Sequence, residues 1–136
     1  MTQKRTLIYE TQIPIRWGDM DAYQHVNNTV YFRYAEQARC EWLEQMGYVV
    51  LPSGVAPVVI NASCTFLAPM NYPGTVELKM FCGEPGRSSL ETYYEMRIMG
   101  EDRLYCDGQA KVVWMDAATG KSAPIPEALR ARLVLA

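Results

Sequence analysis

The sequence holds one histidine, His25, and four cysteines that form no Cys-x-x-Cys pair. Cys40, Cys64, Cys82 and Cys106 stand singly, so with one imidazole they supply too few close ligands for a zinc site. A zinc site is therefore not expected. A basic excess is also missing: 13 Lys and Arg against 15 Asp and Glu leave a net charge of −2. Binding a phosphate backbone calls for clustered positive charge, which makes nucleic acid a poor partner. No apolar run approaches the roughly 20 residues of a membrane helix. The start, MTQKRTLIYE, has basic residues but no apolar stretch behind them to form a signal peptide. These absences favour a reducing cytoplasm, in which lone cysteines act as small buried apolar side chains. Repeats, low-complexity tracts and linkers are lacking as well, so residues 1–136 read as a single domain.

What is present alternates between two periods. Leu7 to Trp17 repeats every two residues, with Leu7, Tyr9, Thr11, Ile13 and Ile15 on one side, and reads as a strand. Pro14 within it implies an edge position or a bulge. Gly18 to Asn28 is a polar loop. From Thr29 the period becomes three and four: Tyr31, Tyr34, Ala35, Ala38, Trp42 and Met46 make one apolar helical stripe. Asn27 or Asn28 can cap its start and Gly47 can end it. After a loop around Pro52 to Gly54 the pattern stays β: Val55 to Leu67, Thr75 to Cys82, Ser88 to Met99 and Leu104 to Met115. Turns at PMNYPG, GEPGR and Gly100 to Asp102 separate them. PEALRARL closes the chain as a short helix, with Pro126 at its first position. The class is α+β: a long, mostly antiparallel five-stranded sheet curled around one apolar helix.

Chemistry concentrates between Arg16 and Arg39, RWGDMDAYQHVNNTVYFRYAEQAR. Two carboxylates, one imidazole and two amides crowd a loop that feeds a helix N-terminus. Unpaired backbone N–H groups there, near Asn28 to Tyr31, can hold an oxyanion while a carboxylate acts as base or nucleophile. That combination suits addition to a carbonyl. The imidazole of His25 has three uses open to it: polarising the carbonyl, assisting proton transfer, or ordering the loop.

The string GDMDAYQHVNNTVY followed by Glu36-Gln37-Ala38-Arg39 resembles the start of hotdog-fold thioesterases of the 4-hydroxybenzoyl-CoA thioesterase family, in the long-chain acyl-CoA thioesterase branch. Plant acyl-ACP thioesterases carry a similar D-x-x-x-HVNN string, with asparagine at the position of Tyr23. Other members place a histidine at the position of Asn28. The resemblance implies a hotdog fold and hydrolysis of an acyl-CoA, or acyl carrier protein, thioester without metal or cofactor. The matching acid is Asp21, as nucleophile or general base, with His25 and Asn28 beside it in catalysis. Tyr23, Asn27 and Tyr31 are the implied substrate contacts. Asp19 is expected to hold the turn. The family also implies a homodimer or homotetramer, and an unpaired sheet edge invites such pairing. The alternative reading is an acyl-CoA-binding module without turnover.

Overall fold

The computed structural model describes residues 4–47 and 54–135. Pro52 and Ser53 of the expected loop lie outside them. Among the described residues, β1 (Thr6–Pro14), β2 (Val55–Phe66), β3 (Thr75–Cys82), β4 (Ser89–Ile98) and β5 (Leu104–Asp116) form one sheet in the order β1-β3-β4-β5-β2. Every neighbouring pair is antiparallel. Helix α1 (Asn28–Gln45) shares a core with the sheet, and α2 (Glu127–Leu135) closes the chain. This is the hotdog arrangement that the sequence predicts.

Helix α1 begins because Asn27 holds an extended conformation and its side chain accepts the Thr29 N–H at 2.9 Å. It ends at Gly47, whose φ of +77° suits glycine best. Tyr31, Tyr34, Ala35, Ala38 and Trp42 are buried. They join Val76, Leu78 and Met80 of β3, Leu90 and Met96 of β4, and Val112 and Trp114 of β5. Truncating a core aromatic such as Trp42 costs about 3–5 kcal/mol, whereas helix propensities differ by under ~1 kcal/mol per residue. Tertiary burial therefore dominates the helix. Polar bonds add direction: Glu41 accepts the Thr11 hydroxyl at 2.7 Å and the Tyr9 hydroxyl at 3.1 Å, tying α1 to β1.

Several expectations shift. The register of β1 slips between Leu7 and Tyr9, so Leu7 is exposed while Ile8 and Tyr9 pack on the core. Strand β1 stops at Pro14 rather than Trp17, although Ile15 still donates to Gly74 at 2.8 Å. Pro14 is tolerated because β1 is a sheet edge. The polar loop starts with a 3-10 turn, Trp17–Asp19. Pro126 precedes α2 and accepts the Arg130 N–H at 2.9 Å, so it caps the helix instead of opening it. Cys82 and Cys106 are buried as expected, but Cys40 is exposed and Cys64 half-buried. Strand β2 forms the other sheet edge, and Val58, Val59 and Ile60 are exposed along it. No helix among the described residues is long and apolar enough to cross a membrane.

Candidate active site

The two aspartates of the loop occupy different environments. Asp19 is 9% exposed. Its Oδ2 accepts the Arg16 backbone N–H at 2.9 Å and the buried Tyr34 hydroxyl at 2.8 Å. The Arg16 guanidinium approaches to 3.4 Å, but that side chain is largely in solvent and contributes little. Burial alone would push the carboxyl up; the Arg16 amide, the Tyr34 hydroxyl and the Arg16 charge together hold it below the usual aspartate value. Burial, then the bond to Asp19, raises the Tyr34 phenol. Asp19 thus holds the turn, as the sequence suggests.

Asp21 is only half-buried. Its Oδ1 accepts the Tyr23 N–H and its Oδ2 accepts the Asn27 side-chain amide, each at 2.9 Å. Each oxygen retains a lone pair. The carboxylate lines an open cleft of about 640 Å³ with Trp17, Met20, Gln24, Asn71 and Tyr72. Two loops build this cleft. Val26 donates to the Met70 carbonyl at 2.8 Å, and the Tyr72 N–H meets the Met20 sulfur at 3.4 Å, stitching 20–26 to 67–74.

The other predicted residues divide. Asn27 is at once the helix cap and the clamp on Asp21. Asn28 is exposed at the first helical position. Its N–H has no partner among the described residues, whereas Asn27 takes those of Thr29 and Val30. The expected oxyanion row from Asn28 to Tyr31 therefore loses its two middle amides. Tyr23 is 84% exposed, whereas Tyr31 is in the core. Its ring packs edge-on against Phe66 and its hydroxyl accepts the Met70 N–H at 3.3 Å, so the structure sets it away from the cleft.

His25 is exposed, and its Nδ1 is 2.8 Å from the Asn71 amide. With its nitrogen toward the ring, the two hydrogens of that amide are shared among three acceptors: Nδ1, the Gln24 carbonyl at 2.9 Å and the Met70 carbonyl at 3.0 Å. The opposite orientation would set its oxygen against acceptors alone, so the network assigns the nitrogen to this side. Sequence reasoning did not find Asn71, Trp17 or Tyr72; PMNYPG reads as a turn and nothing more. In the motif string, Glu36 meets Arg33 at 3.7 Å and Arg39 donates to the Tyr94 hydroxyl at 3.1 Å.

A half-buried carboxylate, clamped yet open to a cleft beside a helix start, can act chemically as a base or a nucleophile. Residues 15–133 match the model of the thioesterase-like superfamily, and the chain belongs to that superfamily. It is 28% identical over 130 residues to the long-chain acyl-CoA thioesterase FadM of Escherichia coli, spanning 91% of this chain and 96% of that one. The chloroplastic acyl-acyl carrier protein thioesterase ATL3 of Arabidopsis thaliana is 26% identical, across 93% of this chain and 67% of that protein. Among solved structures, the PA2801 protein of Pseudomonas aeruginosa superposes with a TM-score of 0.90 at 38% identity, covering 94% of this chain and 99% of that one.

Proposed function

We propose that this chain is an acyl-CoA thioesterase in which Asp21 supplies the reacting carboxylate. The observation that carries the reading is the placement of Asp21: clamped by Tyr23 and Asn27, yet open to the cleft. As general base it takes a proton from water, whose oxygen adds to the thioester carbonyl. As nucleophile it adds directly, giving a mixed anhydride that water then opens. In both routes charge grows on the carbonyl oxygen and the C–S bond breaks; the leaving thiolate takes its proton from protonated Asp21 in the base route and from solvent water in the nucleophile route. The Asn28 N–H and His25 are the donors nearest in sequence to meet that charge. The scheme uses neither a metal nor a prosthetic group. Tyr23 and Asn27 complete the proposed site, with Trp17 and Tyr72 as walls of the cleft.

Residues 1–136 act in this reading as one cytoplasmic domain that assembles with a second copy. The exposed apolar edge of β2 supports the assembly, since an unpaired edge of this length is a template for another strand. Coenzyme A is the carrier proposed, with acyl carrier protein as the other candidate. Release of free thiol from a panel of acyl-CoAs tests the function. Steady turnover that disappears in Asp21→Asn supports it. Tight binding of every acyl-CoA without thiol release would replace it with the binding-module reading.

A further inference from the structure

Gln24 has a φ of +65°, a left-handed conformation uncommon for a side chain of its kind. It sits between the proposed reacting acid and the imidazole, in a turn closed by its own N–H on the Asp21 carbonyl at 2.9 Å and by the Asp21 N–H on the His25 carbonyl at 3.1 Å. The Gln24 carbonyl faces the Asn71 amide at 2.9 Å, and the same nitrogen meets His25 Nδ1 at 2.8 Å. Asn71 is 46 residues further along the chain, in the loop before β3. It therefore grips both the strained residue and the ring that follows.

A nitrogen that donates to Nδ1 makes Nδ1 the acceptor. In the neutral imidazole the proton then belongs on Nε2. Turning the amide over would set its oxygen against the Gln24 and Met70 carbonyls, so the loop itself resists the other tautomer. Nε2 has no protein partner among the described residues, and its N–H is left as the one donor of the neutral ring.

We propose that Asn71 is a positioning residue of this site: it fixes His25 as the Nε2–H tautomer and holds Gln24 in its turn, so that the loop offers the imidazole as a hydrogen-bond donor to an acyl thioester carbonyl. This deepens the thioesterase reading and rests on it for the last clause. The tautomer itself is independent of any substrate.

The single histidine makes the test direct. In untagged protein labelled with 15N-histidine, all imidazole signals come from His25. In alkaline solution, where an ordinary imidazole is neutral, wild-type Nε2 carries the proton and Nδ1 does not. Asn71→Asp replaces the donor by an acceptor and should move the proton to Nδ1. Its kcat should fall about tenfold or more, the equivalent of one lost hydrogen bond in the transition state, with KM within about twofold. Asn71→Ala, which neither donates nor accepts, should release the neutral ring to a mixture of both tautomers, with Nδ1–H now populated, and keep more kcat than Asn71→Asp. Backbone spectra matching wild type confirm that both variants fold. A proton that stays on Nε2 in folded Asn71→Asp would overturn the proposal, as would a transferred proton with unchanged kcat. If the wild-type protein hydrolyses no thioester, the thioesterase reading fails instead, and the ring-proton transfer still decides whether Asn71 sets the tautomer.

Discussion

The Tyr34 hydroxyl donates to Asp19 at 2.8 Å inside the fold, while Asp21, two residues on, turns its carboxylate to the cleft. Replacing the buried carboxylate by an amide turns the bonds from Tyr34 and the Arg16 N–H from charge-assisted to neutral, a loss of about 1–2 kcal/mol. Asp19→Asn should therefore lower the denaturation midpoint clearly and kcat much less. Asp21→Asn should do the reverse: kcat down by roughly 10²-fold or more with stability nearly intact. Parallel melts and thiol-release assays check the pair. Similar losses of activity in both variants would remove the assignment.

Asp19 also sets a pH dependence. Its carboxyl lies below the ordinary value in the folded state, so it stabilises fully above the unfolded carboxylate range near ~4. That contribution is lost as pH falls through the lower folded value. The stability gap between the wild-type protein and Asp19→Asn should be constant from about pH 7 to 5 and should close on further acidification. Urea titrations across that span read it directly; a gap that stays level down to pH ~3 contradicts the bonding described.

Trp17 is 75% exposed and walls the cleft beside Asp21. Trp17→Ala removes an aromatic face without opening the core, so stability should change by no more than ~0.5 kcal/mol. If the acyl group or its carrier lies against it, KM should rise about fivefold to tenfold, matching ~1–1.4 kcal/mol of lost contact. Unchanged kinetics over a panel of chain lengths would move the substrate to another surface.

Ile60 lies at the irregularity of β2, exposed on the free edge of the sheet. A charge there should block pairing of this edge with another strand. Ile60→Lys should sediment as a monomer at micromolar concentration, where the wild-type protein sediments as a dimer or larger. A wild-type monomer with full turnover would end the assembly proposal.

Much of the fold is legible because burial here follows simple periods. Val76, Leu78 and Met80 alternate with Glu77 and Lys79, and the α1 stripe from Tyr31 to Trp42 repeats at three and four. Leu7 was misread because a bulge reverses the faces of a strand and leaves no mark in residue type. Asp21, His25 and Asn27 are adjacent in the chain, so their shared loop is visible in the sequence. Asn71 and Tyr72 reach the cleft only after the sheet brings a distant loop back, and no local pattern carries that contact. Tyr31 shows the converse: it follows the site residues closely in sequence, but its place on the three-and-four stripe turns it to the core.

The proposed reacting acid and the far wall of its cleft come from separate loops, so part of the wall can change while the acid stays in place. The loop 67–74 connects β2 to β3 without contributing to α1, and it meets 20–26 through the Val26–Met70 bond. Lengthening it by a residue or two beyond Tyr72 would resize the cavity while Asn71 keeps its contact with His25 and Asp21 keeps its clamp on Asn27. The loop thus works as an interchangeable jaw: one scaffold can be refitted for acyl groups of different bulk by editing the stretch around Tyr72 while Asn71 keeps its hold on His25.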